Sequence, residues 1–239
     1  MAGPSYKRVL IKVSGEALMG AAAYGLDMPT VGAIADEIVA VRAAGIDVAI
    51  VVGAGNIFRG LAEAAKGLDR AEADYLGMMA TVMNGVALSA AISERGSESV
   101  VLSGLDVPQV CESYTLRGAR AHMAAGRVVV FAGGTGNPFF TTDTASALRA
   151  AEMGCDALLK ATQVDGVYSA DPKKVPNARR YDALSFSQVL ADNLAVMDGA
   201  AIALCRDNAI PIIVCSIAER GGMADVLSGG GRATIISGN

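Results

Sequence analysis

The chain contains no tryptophan and only one histidine, His122. A Ser-His-Asp or Cys-His mechanism would have to run through that single imidazole. It lies in a helical pattern with no nucleophile motif beside it, so a surface or packing role is expected. Cys111, Cys155, Cys205 and Cys215 show no C-x-x-C spacing. They read as buried thiols in a reducing compartment, not as a zinc site or a disulfide framework. No G-x-x-x-x-G-K-[ST] run occurs, which excludes a Walker-type kinase. Charged residues make up only 18% and leave a net charge of −4, which argues against a nucleic-acid surface. Anionic ligands must therefore be held by local cations and amide groups, not by the overall field. No uncharged apolar run is read as long enough to span a membrane, and no apolar leader precedes the first strand near Lys7. The cytoplasm is the expected compartment.

Hydrophobic residues make up 52% of the chain, ample for a buried core. β-rich runs at 9–13, 46–52, 100–103, 127–131, 157–161, 210–215 and 234–237 alternate with helical patterns. This alternation predicts an α/β class with a mostly parallel sheet between helices, in one domain (1–239) of two lobes, roughly 1–150 and 151–239. Residues 16–29 read as a loop and 104–113 as irregular. Gly45 is placed as a C-cap, and Thr115 and Asp198 as N-caps. Thr142 or Asp143 is expected to cap the helix that ends before Gly154. The methionine-rich helix over 69–94 reads as core or subunit interface.

The stretch around which the chain is organised is Phe131–Asp143, a strand followed by a glycine loop and a helix start. Glycines let backbone approach a ligand closely, and a helix N-terminus offers unpaired N–H groups to a phosphate. Thr135, Asn137, Thr141 and Thr142 add short donors, Pro138 stiffens the loop, and Phe139 and Phe140 could exclude water or stack on a ring. A second glycine loop, Gly53-Ala54-Gly55-Asn56-Ile57-Phe58-Arg59-Gly60, follows another strand, and Lys12 and Lys160 each end a strand. Ligands bind open α/β sheets at that carboxyl edge. Two lysines, an arginine and many amides, with few general bases, suit phosphoryl transfer, where positioning and charge neutralisation dominate. With no dedicated carboxylate cluster, Mg²⁺ would be carried by the phosphates of a nucleoside triphosphate. A phosphate acceptor would need no base, since its second pKa is ~6; a carboxylate acceptor would suit the same residues.

Lys12-Val13-Ser14-Gly15-Glu16-Ala17-Leu18, Gly55–Gly60, Met78–Asn84, Thr135–Asp143, Lys160-Ala161-Thr162 and Val164–Tyr168 closely resemble the bacterial UMP kinases, a branch of the amino acid kinase superfamily. The resemblance runs from about Tyr6 to the C-terminus. It implies a three-layer α/β/α fold, ATP and UMP as substrates with Mg²⁺, a role in pyrimidine nucleotide synthesis, a homohexamer built as a trimer of dimers, and GTP or UTP as effectors. It places Lys12, Val13, Ser14, Gly15, Gly55, Arg59, Thr162, Tyr168 and Asp171 at ATP. It places Ala54, Asp74 and the run Thr135, Gly136, Asn137, Pro138, Phe139, Phe140, Thr141, Thr142 at UMP, with Asp74 accepting from ribose hydroxyls. Lys12, Asp143, Lys160 and Asp198 are implied as catalytic, Asp143 orienting the lysines. The first lobe would then bind UMP and the second ATP. The family usually has a third glycine where this chain has Ala54, so its methyl fits a close approach only if φ is negative. Ser89 and Ser93 stand where some relatives carry basic residues for GTP, while Arg95, Arg120 and Arg127 leave room for another effector site. Two rival readings remain: a kinase for acetylglutamate, aspartate or glutamate, and an oxyanion-storage protein for molybdate or tungstate.

Overall fold

The structure, a computed structural model, describes residues 6–58, 67–172, 174–175, 177–217 and 221–238. Among the described residues nine strands form one sheet. Its core is parallel: β1 (Arg8–Val13) lies between β2 (Asp47–Val52) and β6 (Ala157–Thr162). Outward from β2 come β5 (Val128–Ala132), β3 (Ser99–Ser103) and the short β4 (Glu112–Ser113), which lies inside the stretch expected to be irregular. Outward from β6 come β10 (Ile212–Ser216), then β11 (Ala233–Ile236), antiparallel to it, and β9 (Ala183–Leu184). A separate hairpin pairs β7 (Val167–Tyr168) with β8 (Arg180–Tyr181).

The central strands are apolar on both faces, as parallel strands covered by helices must be, and alternate residues serve different layers. Val9, Ile11 and Val13 share one core with α1 (Met28–Ala43), α2 (Arg70–Glu94) and α7 (Gly222–Leu227). Leu10 and Leu158 face the other core, built with α3 (Leu116–Ala124), α4 (Thr142–Met153), α5 (Phe186–Ala191) and α6 (Gly199–Asp207). The three-layer α/β/α arrangement is therefore observed.

Four local expectations are corrected. Residues Gly15–Met19 form a 3₁₀ turn inside the expected loop, and α1 starts at Met28, capped by Asp27 with Pro29 in its first turn, where a missing N–H costs nothing. The C-cap of α1 is Ala44; Gly45, with φ +86°, is the residue after it. The N-cap of α4 is Thr141, whose hydroxyl accepts from the N–H groups of Asp143 and Thr144 at 3.0 and 3.3 Å. Asp143 is unavailable as a cap because its carboxylate is drawn elsewhere, as described below. Finally, residues 75–93 carry no charge, and α2 is long and apolar enough to cross a bilayer by length and composition. It is instead a helix of the folded domain, with 56% of its most apolar window buried. Met78 and Val82 face inward, while Tyr75, Leu76, Met79 and Met83 form an exposed apolar stripe.

Thr115 and Asp198 cap α3 and α6 as expected. His122 sits between Glu112 and Arg127, 3.0 Å from each, away from the glycine loops.

Candidate active site

Parallel pairing sets Lys12 of β1 directly beside Lys160 of β6. Both take the even register of Leu10 and Leu158, so both stand on the face covered by α4. Two like charges side by side on one face are unfavourable. Asp143, in the first turn of α4, resolves this: its Oδ1 lies 2.8 Å from Lys12 Nζ and its Oδ2 3.0 Å from Lys160 Nζ. All three side chains are largely enclosed, at 8%, 14% and 17% exposure. Burial works to raise the Asp143 carboxyl, but the two ammonium groups outweigh it and hold the group below the usual carboxylate value. Burial pushes Lys160 below the ordinary lysine value, with Asp143 pulling it back and Lys12 adding to the fall. Lys12 Nζ also reaches Ser14 Oγ at 3.3 Å, and Lys160 donates to the Val196 carbonyl.

Around this triad three chain turns converge. A Cβ on Gly15 would come within 2.6 Å of the Gly55 nitrogen and of Asn56 Oδ1, so only glycine permits the β1 and β2 turns to touch. In the 133–142 loop Gly136 has φ +80°, and a Cβ there would meet the Gly104 carbonyl at 2.7 Å. Ala54 holds a negative φ, which meets the condition its methyl imposes. Asp198 caps α6 and also accepts from the hydroxyls of Thr141 and, at 3.0 Å, Thr144. It thus ties the end of the glycine loop to α6.

Two clefts flank the triad. One, of about 140 Å³, is lined by Ala54, Asp74, Thr81, Phe140, Thr141 and Thr142. The other, of about 600 Å³, is lined by Lys160, Thr162, Tyr168, Asp171, Asn193 and Val196 among others. Larger hollows of about 790 and 830 Å³ lie against α2 and α1, but among the described residues no lysine or arginine lines either. Asp74 accepts from Arg70 Nε at 2.9 Å and from the Phe139 N–H at 2.8 Å. Phe139 is a non-glycine residue at φ +71°, a conformation that costs roughly 1–3 kcal/mol and persists only where surroundings impose it. Thr135 and Asn137 bond each other within the loop. Arg59 lies outside the described residues.

Among the described residues no group of three or more His, Cys, Asp or Glu could hold a metal. A metal carried on nucleotide phosphates fits this donor set, because Asp143, the carboxylate between the lysines, is engaged by both.

Residues 7–216 match the amino acid kinase family. The chain belongs to the amino acid kinase family. Within it, the uridylate kinase of Rhizobium meliloti (strain 1021) is 57% identical over 238 residues, covering 100% of this chain and 99% of that protein. That of Brucella abortus biovar 1 is 58% identical over 236 residues, 99% and 98% of the two chains. Among solved structures, the UMP kinase from Bacillus anthracis superposes with a TM-score of 0.93 at 40% identity, covering 97% of this chain and 96% of that one. The UMP kinase from Ureaplasma parvum gives 0.92 at 36% identity, with both chains covered fully.

Four parts of this candidate site are given no role by the sequence motifs: Asn56, Asn84, Thr144 and the Val196 carbonyl. Asn84 leaves one signal, an amide in an uncharged stretch of helix whose other buried polar residues, Thr81 and Ser89, are hydroxyls. Its partner is set by the fold.

Proposed function

We propose that this chain transfers the γ-phosphoryl of ATP to UMP, giving ADP and UDP in pyrimidine nucleotide synthesis. The observation that carries the reading is the lysine pair bridged by Asp143, with Lys160 lining one cleft and Thr142, next to Asp143 in the chain, lining the other. Likeness to uridylate kinases along the whole chain, acceptor loop included, supports UMP as the acceptor. A phosphate oxygen of UMP attacks the γ-phosphorus, the bond to the β,γ-bridging oxygen breaks, and ADP leaves with the electron pair. UMP needs no general base, since its phosphate is mostly dianionic above ~6. The barrier is repulsion between anions, which Lys12, Lys160 and the amides of the 14–15 and 53–55 turns offset. Asp143 orients both ammonium groups. Asp198 holds Thr141 and Thr144, and through them the acceptor loop. Thr162, Tyr168 and Asp171 take the adenine nucleotide in the larger cleft; Ala54, Asp74 and Thr135–Thr142 take UMP in the smaller one. Mg²⁺ bound to the ATP phosphates supplies further charge neutralisation.

The same reading assigns the UMP side to a lobe of residues 1–150 and the ATP side to 151–239, within one cytoplasmic domain. It also includes a homohexamer, supported by the exposed Tyr75, Leu76, Met79 and Met83 stripe and testable by light scattering. GTP or UTP would act as effectors. Arg95, Arg120 and Arg127 already bond Asp36, the Glu152 carbonyl and Glu98 respectively, so an effector there would compete with these partners.

The deciding experiment is ADP release from Mg-ATP with UMP, CMP, AMP, acetylglutamate and aspartate offered separately. Turnover confined to UMP supports the reading. Turnover with an amino acid keeps the ATP half and discards the acceptor assignments, and no turnover from folded protein points to a binding or storage role.

Two variants probe the two sides. Asp74→Asn is expected to raise KM for UMP at least about tenfold, the effect of a charged hydrogen bond lost, with KM for ATP little changed; equal shifts in both would place Asp74 elsewhere. Lys160 must be charged to act, and its value lies below the ordinary 10.5. The rate is therefore expected to fall on an alkaline limb below that pH. Burial pushes the thiols of Cys155 and Cys205 up to about 12, so they do not account for it. Lys160→Arg, which stays charged throughout, should lose this limb. A limb shared by both proteins would belong to another group and remove Lys160 from the assignment.

A further inference from the structure

Asn56 and Asn84 are 2% and 0% exposed, one just past the 53–55 turn, the other mid-way along α2. Their carboxamides face each other: Asn84 Nδ2 donates to Asn56 Oδ1 at 2.7 Å and Asn56 Nδ2 to Asn84 Oδ1 at 3.1 Å. The remaining donors are also used. Asn84 Nδ2 donates to the Gly53 carbonyl at 2.7 Å, and Asn56 Nδ2 to the Gly25 carbonyl at 2.8 Å. Because both backbone acceptors are carbonyls, the orientation of each amide is determined. All four N–H bonds of the pair are satisfied without water, an arrangement that rigidifies what it touches.

What it touches is the phosphate end of the site. A planar trans peptide points its C=O and N–H in opposite directions. By holding the Gly53 carbonyl, Asn84 therefore also sets the direction of the Ala54 N–H. Asn56 Oδ1 lies 2.6 Å from where a Cβ on Gly15 would stand, so the same carboxamide forms the floor of the β1 turn. Gly15 N in turn lies 3.0 Å from the Cβ position of Gly53, and Thr142 Oγ1 3.5 Å from it. The pair thus supports the two turns that meet beside Lys12.

We propose that Asn84 and Asn56 are a positioning pair for phosphoryl transfer, fixing the 14–15 and 53–55 turns from helix α2 without touching either nucleotide. The role rests on the kinase reading above. The mutual bond makes each amide dependent on the other, so the two act as one unit.

The test uses Asn84→Leu, Asn56→Leu and the double variant, with Asn84→Ser and Asn56→Ser as smaller replacements should the leucines not fold. Each is assayed below its melting temperature. Each single variant is expected to lose about a hundredfold in kcat, the scale of a misplaced reacting group, with both KM values little changed. The double variant should lose no more than the worse single one, since the partners share one interaction. Amide hydrogen exchange, which needs no turnover, should quicken at residues 14–16 and 53–56 and stay unchanged on the far strands β10 and β11. Wild-type kcat in folded variants, strictly additive losses, or exchange quickened across the whole sheet would each overturn the proposal. Failure of the wild-type protein to phosphorylate UMP would overturn the kinase reading instead, and the exchange experiment would still decide whether the pair fixes the turns.

Discussion

Lys12→Ala is expected to lose roughly a thousandfold in kcat while the protein still folds. The size follows from removing a preorganised, enclosed charge aimed where negative charge moves in the transition state. The Lys12 side chain is 8% exposed, so little water shields its ammonium group, and Asp143 holds it at 2.8 Å. Alanine cannot replace it, and water entering the space brings no charge. Folding should survive because the change also removes one of two adjacent like charges, and Asp143 keeps Lys160 at 3.0 Å. ADP release and a thermal melt measured on the same sample check both halves. Near-normal turnover would remove Lys12 from the mechanism.

Asp143→Ala is expected to have the larger effect on stability. It leaves Lys12 and Lys160 side by side, enclosed and without their shared counter-charge. Breaking a buried ion pair by deleting one partner costs about 3–5 kcal/mol, and urea unfolding at pH 7 should show a loss of that order. The pH dependence has a definite sign. The carboxyl is held below its ordinary 3.8 in the folded protein. Its contribution is therefore complete above that value and is lost as pH falls through the lower, folded value. The gap between wild type and variant should narrow at acid pH. A constant gap, or none at pH 7, would show that Asp143 does not neutralise the lysines. Turnover should fall as well, because Lys160 loses the neighbour that keeps it protonated.

Individual residues show how far the sequence could be read. Lys12 and Lys160 were visible as cations at the ends of apolar runs, and the glycine turns as places of close backbone approach. Local preference does not choose the α4 cap, because Thr141, Thr142 and Asp143 are all good capping residues. Thr141 caps because Asp143 is pulled between two lysines from distant strands. The uncharged stretch 75–93 is ambiguous for a related reason: length and composition do not distinguish a helix of a folded core from a membrane span. Packing of α2 against the sheet makes the distinction. Asn84 can be seen as an amide in this uncharged stretch, yet nothing nearby in the chain identifies Asn56, 28 residues earlier, as its partner.

By itself the sequence determined the alternation of strand and helix, the glycine turns at the strand ends and the presence of two strand-end lysines, because periodicity, turn chemistry and side-chain charge are local properties. The tertiary structure decided that β1 and β6 are neighbours in the register Lys12–Lys160, that Asp143 bridges them, and that Asn84 braces the 53–55 turn. These depend on strand pairing and helix packing, in which side chains far apart in the chain share one enclosed space and must satisfy one another's charges and hydrogen bonds.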